Sequence, residues 1–118
     1  MTPPTQFIKA DLEDGSPWPF AGQRFGGIVV TNYLHRPLLP VLAQSLAEQG
    51  VLIYETFMLG NEKFGKPSNP DFLLRPGELL QAFADLAVVA FEQGRTQKAV
   101  VQRICVVRGE AGSVRISA

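Results

Sequence analysis

The chain has 118 residues, and its 11 basic and 11 acidic side chains give a formal net charge of zero. A chain of this length forms one domain, and it lacks the basic patch that nucleic-acid binding requires. No apolar run reaches the roughly 18 residues that a membrane span needs. Residues 1–6 lack the features of a signal peptide, and a single cysteine, Cys105, rules out an internal disulfide. These features predict a cytoplasmic protein in which Cys105 is a buried, reduced thiol.

A short extended segment and a buried strand open the chain. Residues 6–10 can extend, and the glycine and proline of residues 11–17 mark a loop. Gly27–Thr31 is a run of apolar and β-branched residues, which is typical of a strand buried on both faces. It stops abruptly at the polar and aromatic residues 31–36. Ligands of open α/β sheets bind just beyond the carboxyl ends of strands, so we look for a site there.

A helix and a second strand follow. Apolar residues recur at helical spacing after His35, Pro37 suits the first turn, and Gly50 is placed to end the helix in a left-handed conformation. Val51–Phe57 is again an apolar run and predicts a buried strand. Two strands joined by a helix form a βαβ unit, which predicts parallel strands and a right-handed crossover.

The second half of the chain predicts a long loop, a short helix and a hairpin. Residues 58–75 show no periodicity, and a loop of this length is usually functional or disordered. A short helix is expected over Pro76–Asp85. Strands are expected over Ala87–Glu92 and Ala99–Arg108, and the turn at residues 93–97 makes this last pair antiparallel.

This pattern resembles the C-terminal part of a class I S-adenosylmethionine-dependent methyltransferase. The sequences ADLED at 10–14, WPF at 18–20 and RFGGIVVTNYLH at 24–35 look like the family's run from the acidic residue after its third strand, through a PF loop, into its fourth strand. LAEQGVLI at 46–53 looks like the entry into the family's fifth strand. The resemblance implies an α/β fold: a partial Rossmann-like sheet of parallel strands with a C-terminal antiparallel hairpin and helices on its faces.

The chain also departs from the family pattern. The family's glycine-rich turn after its first strand, and the acidic residue after its second strand that holds the ribose, have no counterpart here, and Gly26 stands where the family commonly has Asp. We therefore expect residues 1–118 to form a single, incomplete methyltransferase-like domain. The family places its first strand beside its fourth, so Gly27–Thr31 is expected to become an exposed sheet edge. Such an edge predicts a homo-oligomer, coverage by residues 1–10, or a partner chain that supplies the missing half.

The resemblance also implies which residues would contact the cofactor S-adenosylmethionine. Asp11 would accept a hydrogen bond from the adenine amino group, with the backbone of Leu12 beside it. Thr31 and Asn32 would contact the methionine part of the cofactor. The alternative is local: an aspartate that caps a turn, and strand-end residues that satisfy turns of their own.

Three side chains near the predicted strand ends are candidates to take a proton in catalysis. They are Tyr33, His35 and Glu55. Histidine can act as a general base near neutral pH, but a histidine at a helix start can also simply contact the backbone. One histidine and one cysteine do not suffice for a metal site, so none is expected. Four aromatic residues either line an apolar acceptor pocket or anchor the long loop: Trp18, Phe57, Phe64 and Phe72.

Two functions remain open from the sequence. The first is methyl transfer from S-adenosylmethionine to a small acceptor by the complete form of the protein. The second is a catalytically inactive α/β module that self-associates or binds a partner through its exposed sheet edge. The sequence does not identify the acceptor.

Overall fold

A computed structural model describes residues 7–10, 22–110 and 112, with only the backbone described for residues 7–10. The strands are β1 (Phe7–Ala10), β2 (Phe25–Thr31), β3 (Leu46–Phe57), β4 (Ala87–Arg95) and β5 (Val100–Val107). The helices are α1 (Leu38–Gln44) and α2 (Glu78–Ala82), and 3-10 turns cover Asn61–Lys63 and Pro70–Phe72. Neither helix in this part of the chain has the length and apolarity needed to cross a membrane.

The strands form one sheet in the order β1-β2-β3-β5-β4. β1, β2 and β3 are parallel neighbours. β5 lies between β3 and β4 and runs antiparallel to both. The predicted architecture of parallel strands followed by a C-terminal antiparallel hairpin is therefore confirmed.

The prediction of an exposed edge at Gly27–Thr31 is wrong within this chain. β1 pairs in parallel with this strand, so that Ala10 lies opposite Val30. Unpaired backbone groups in a buried strand are costly, and the short extended segment satisfies them. Of the outcomes predicted for the edge, this is coverage by residues 1–10. The expected homo-oligomer or partner chain stays a prediction.

Alternating side chains give the sheet a packed face and an open face, because direct cross-strand neighbours share a face. The packed face has two rows of buried residues: Ile28, Leu52 and Val106, then Val30, Tyr54 and Ile104. Leu38, Leu39, Leu42 and Leu79 of α1 and α2 complete the core on this face. The open face carries an apolar row of Val29, Ile53, Cys105 and Ala90. Both described helices thus cover the same face of the sheet.

The open face is only partly shielded by the described residues. Ile53 at its centre is 42% exposed. Cys105 beside it is half-buried, so the expected burial of this thiol is met only in part. Burial raises the pKa of Cys105, which favours the protonated thiol.

The helix after β2 ends earlier than predicted. α1 ends at Gln44, and Gly50 lies within β3 instead of at the end of a helix. The left-handed conformation belongs to Gln49, whose φ is 65°. A Cβ atom on Gly50 would lie 2.7 Å from the carbonyl oxygen of Ala47, so this position needs glycine for close backbone approach.

Gln102 of β5 joins α2 to the sheet through a fully buried amide. Its Oε1 atom accepts a hydrogen bond from the Leu79 N–H at 2.8 Å. Its Nε2 atom donates to the Arg75 carbonyl at 2.9 Å and to Oε1 of Gln93 at 3.2 Å. Buried polar groups must be hydrogen-bonded, and here one side chain satisfies groups from α2, β4 and the segment before α2.

Candidate functional site

A cavity of about 450 Å³ lies at the carboxyl ends of β2 and β3. We call it the strand-end cavity; its lining residues are Asn32, Tyr33, Leu34, Thr56, Phe57, Pro67 and Phe72. The inner wall comes from the strand ends and the outer wall from the long loop, residues 58–75. Both its position and its volume are those of small-molecule sites in α/β proteins.

The inner wall is fixed to β3 by hydrogen bonds. Asn32 directly follows β2 and has a φ of 56°, a conformation that asparagine tolerates, and its N–H donates to the Glu55 carbonyl at 2.9 Å. The hydroxyl of Tyr54, on the packed face, donates to the carbonyl of Tyr33. Burial raises the pKa of Tyr54, so the hydroxyl remains a donor across the physiological range. The backbone that presents Asn32 and Tyr33 is therefore anchored at two points.

The long loop forms a closed unit although its sequence has no periodicity. Its two ends meet where the N–H of Leu74 donates to the Phe57 carbonyl at 3.0 Å. Inside the loop, the buried amide of Asn61 accepts a hydrogen bond from the Val100 N–H at 3.0 Å and donates to the Pro67 carbonyl at 3.1 Å. Asn61 thus ties the outer wall of the cavity to β5.

Arg36 ties the two walls of the cavity together. Its Nε and Nη2 atoms pair with the Glu78 carboxylate at 2.6 and 3.0 Å. The same guanidinium donates to the carbonyls of Asp71 at 3.1 Å and Leu73 at 3.0 Å, both in the long loop. Desolvation raises the pKa of Glu78, but the hydrogen bonds from Arg36 and from the Arg75 N–H outweigh it, so the pKa lies below its ordinary value.

The structure brings together two of the three predicted catalytic residues. Tyr33 lines the strand-end cavity, and the ring of the exposed His35 lies beside it with 6.5 Å between ring centroids. Glu55 instead belongs to the open face, where it pairs with Arg103 at 3.2 Å. Arg103 also pairs with Glu92 at 2.8 Å.

Of the four predicted cofactor contacts, the structure places one in the strand-end cavity and one on the open face. Asp11 and Leu12 lie outside the described residues. Asn32 lines the strand-end cavity. Thr31 is the direct neighbour of Glu55 across β2 and β3, which places its half-buried side chain on the open face. Among the described residues, no three His, Cys, Asp or Glu side chains meet in a group that could hold a metal ion.

A second depression, of about 330 Å³, lies on the open face. Its lining includes Ile53, Glu55, Glu92, Arg103 and Cys105. The charged groups in it already pair with one another, and it does not lie beyond the strand ends. We therefore take the strand-end cavity as the candidate functional site.

The predicted aromatic pocket exists with fewer members. Phe57 and Phe72 line the strand-end cavity. Phe64 packs elsewhere, with the guanidinium carbon of Arg95 at 5.0 Å from the centre of its ring. Trp18 lies outside the described residues.

Three residues of the cavity were not among the predicted site residues: Leu34, Thr56 and Pro67. Thr56 follows Tyr54 at the spacing that keeps strand residues on one face, so the alternation in β3 was a usable signal. Pro67 carried no such signal, because its position depends on how the long loop closes around Asn61.

Two solved structures have a similar fold. The N-methyltransferase NodS from Bradyrhizobium japonicum WM9 matches with a TM-score of 0.54 and 15% identity, over 75% of this chain and 53% of that one. An O-methyltransferase family 2 protein from Planctomyces limnophilus DSM 3776, solved with apigenin, matches with a TM-score of 0.50 and 17% identity, over 77% of this chain and 32% of that one. No protein-family model and no curated protein matches the chain.

These matches define the class of fold. The sheet fits a class I methyltransferase fold, so the resemblance inferred from the sequence is confirmed at the level of the fold alone. The chain spans 53% and 32% of the lengths of the two matched proteins.

Proposed function

We propose that the chain is part of a methyltransferase that uses S-adenosylmethionine and methylates a small molecule. The observation that carries this proposal is the strand-end cavity, which opens at the carboxyl ends of parallel strands in a sheet shared with solved methyltransferases. One matched protein is an N-methyltransferase and the other an O-methyltransferase, so the fold itself does not select the acceptor atom.

S-adenosylmethionine would supply an activated methyl group to this site. Asn32 fits the role of holding the methionine part, because its exposed amide combines donor and acceptor groups that suit an amino acid. Thr31 precedes it at the end of β2; its side chain lies on the open face, so its contact with the methionine part would come from its backbone. Asp11 and Leu12 are proposed for the adenine on the strength of the sequence resemblance alone.

Methylation of an O–H or N–H group releases a proton, and Tyr33 and His35 would take up this proton. Tyr33 borders the cavity and His35 is exposed beside it, so the two can pass a proton toward solvent. Glu55 is the third candidate, but it would first have to leave Arg103. Alignment of donor and acceptor would supply most of the rate enhancement.

Calorimetric titration of the chain with S-adenosylmethionine and with its demethylated product tests the proposal. We expect a Kd below about 0.1 mM, which is close to −5.5 kcal/mol. Asn32→Gly keeps the positive φ accessible and removes only the amide, and it should weaken binding about tenfold. Gln97→Gly removes an exposed amide from the turn between β4 and β5, away from the cavity, and as the control it should bind normally. Absence of binding heat with both ligands would contradict the proposal for this chain.

The open face supports a second candidate function, a catalytically inactive module that assembles through this face. Parallel strands are normally covered on both faces, yet Ile53 is 42% exposed at the centre of an apolar row. We propose a second copy of the chain as the cover. Sedimentation velocity should then show a dimer that Ile53→Lys dissociates, whereas Leu80→Lys, at a residue of α2 that is 38% exposed, leaves it intact. A monomer at all concentrations would refute this candidate.

A further inference from the structure

We propose that the strand-end cavity selects an uncharged aromatic molecule that carries one hydroxyl or amide group. This inference adds a substrate class to the proposed function. It rests on that function because it treats this cavity as the site of the methyl acceptor. It follows from three properties of the lining: its aromatic side chains, its lack of charge, and the hydroxyl of Thr56.

The aromatic character comes from both walls of the cavity. Tyr33 and Phe57 contribute rings from the strand ends, and Phe72 contributes a ring from the long loop, where Pro67 adds further apolar surface. Phe72 is 54% exposed, the highest value among the exposed large hydrophobic side chains of the described residues. Aromatic rings prefer offset-stacked or edge-to-face contacts, and covering exposed apolar surface is favourable. A flat ring bound between the walls makes such aromatic contacts and also covers the exposed apolar surface. A volume of about 450 Å³ accommodates one or two fused rings.

The charge of the ligand follows from what borders the cavity. None of its lining residues is ionisable at neutral pH. The nearby guanidinium of Arg36 is already engaged by Glu78 and by the carbonyls of Asp71 and Leu73. A charged acceptor held between Phe57, Phe72 and Pro67, away from the Asn32 amide assigned to the cofactor, would lose its hydration without gaining a partner of opposite charge, which is strongly unfavourable. The acceptor part of the cavity therefore discriminates against ions.

The polar requirement follows from the hydroxyl at the end of β3. Thr56 is 2% exposed and brings this hydroxyl to the cavity, whereas the amide of Asn32 is assigned to the cofactor. A hydroxyl can donate and accept, so it suits a neutral hydroxyl or amide of either polarity. A ligand without such a group would leave the Thr56 hydroxyl facing an apolar surface.

Amide NMR titrations of the intact chain with three probes, in the absence of S-adenosylmethionine, test this inference. The probes are 2-naphthol, its charged analogue 2-naphthoate, and the non-aromatic decahydro-2-naphthol. We expect 2-naphthol to bind with a submillimolar Kd and to shift the signals of residues 32–34. The other two probes should bind at least tenfold more weakly. Equal binding of naphthoate or of the saturated analogue would overturn the inference, as would shifts confined to the open face.

Two variants assign the binding to the proposed contacts. Phe72→Ala should weaken 2-naphthol at least fivefold, whereas Phe64→Ala, the matched control in the same loop, should not change it. Thr56→Val keeps the branched shape and removes the hydroxyl, so it should weaken 2-naphthol about fivefold without weakening naphthalene. Equal effects of the two phenylalanine variants, or of Thr56→Val on both ligands, would overturn the assignment.

The results of the naphthol titrations can be distinguished from the results of the S-adenosylmethionine titration. Selective naphthol binding without S-adenosylmethionine binding retains the aromatic site and removes the methyltransferase proposal for this chain. Cofactor binding without naphthol binding retains the proposed function and overturns the inference about its acceptor.

Discussion

Replacing Glu78 with Gln tests whether the ion pair with Arg36 holds the walls of the strand-end cavity together. The substitution keeps the side-chain shape and one acceptor oxygen, but it removes the charge. The Glu78 carboxylate accepts three hydrogen bonds: two from Arg36 and one from the Arg75 N–H. After the change, Arg36 would retain its two carbonyl partners in the long loop.

The expected cost at pH 7 is about 1.5 kcal/mol of unfolding free energy. Hydrogen bonds to charged groups contribute about 1.5–3 kcal/mol, and the lower end applies because the Arg36 side chain is 33% exposed and partly screened by solvent. Folding lowers the pKa of Glu78 from its ordinary value of 4.5. The stabilisation is therefore present in full above that value and is lost as the pH falls through the lowered pKa.

Urea unfolding followed by far-ultraviolet circular dichroism measures this difference between pH 3 and pH 8. The midpoint of Glu78→Gln should lie about 1 M below that of the wild type at pH 7, since a slope near 1.5 kcal/mol/M is typical of small proteins. The two midpoints should converge in acid. Glu48→Gln, at an exposed carboxylate of β3, is the control and should change little at any pH. A pH-independent difference, or none at pH 7, would refute the reasoning.

Three further substitutions test the packing. Gly50→Ala places a Cβ atom 2.7 Å from a carbonyl oxygen and should cost about 1–3 kcal/mol in thermal unfolding, whereas Gly112→Ala, with nothing within 4 Å, should be neutral. Leu52→Ala on the packed face should cost about 2–5 kcal/mol, and Ile53→Ala on the open face less than about 1.5, so equal costs would argue against two distinct faces. Gln102→Leu leaves an amide in the first turn of α2 without its acceptor and should cost about 1–3 kcal/mol. Faster hydrogen exchange at that amide checks the cause, and unchanged exchange would contradict it.

Local signals in the sequence were sufficient to predict much of the sheet. The apolar runs Gly27–Thr31 and Val51–Phe57 predicted β2 and β3, because strands buried in parallel sheets have few polar residues. The short turn after Glu92 predicted the hairpin, although β4 continues to Arg95. Phe57 and Phe72 were predicted as lining for a pocket because they flank or belong to the loop that leaves a strand end.

The remaining features depend on contacts between distant segments. Gly50 resembled a helix terminator, and only the approach of another backbone segment shows why it lies in β3. Gln102 and Asn61 are ordinary polar residues in the sequence, and their buried hydrogen bonds exist only after α2 and the long loop are in place. The edge at Gly27–Thr31 was expected to be free because a family strand was missing, but the chain supplied its own partner.

The central position of β5 has a consequence for the order in which the protein can fold during translation. The ribosome delivers β3 and β4 before residues 100–107, yet β5 is the strand that separates them in the sheet. A nascent chain without β5 has no hydrogen-bonding partner for the inner edges of these two strands, and it lacks Ile104 and Val106 from the core. Such exposed edges and apolar surface are prone to aggregation. Completion of this sheet therefore waits for β5, and the strands made before it need protection until β5 emerges.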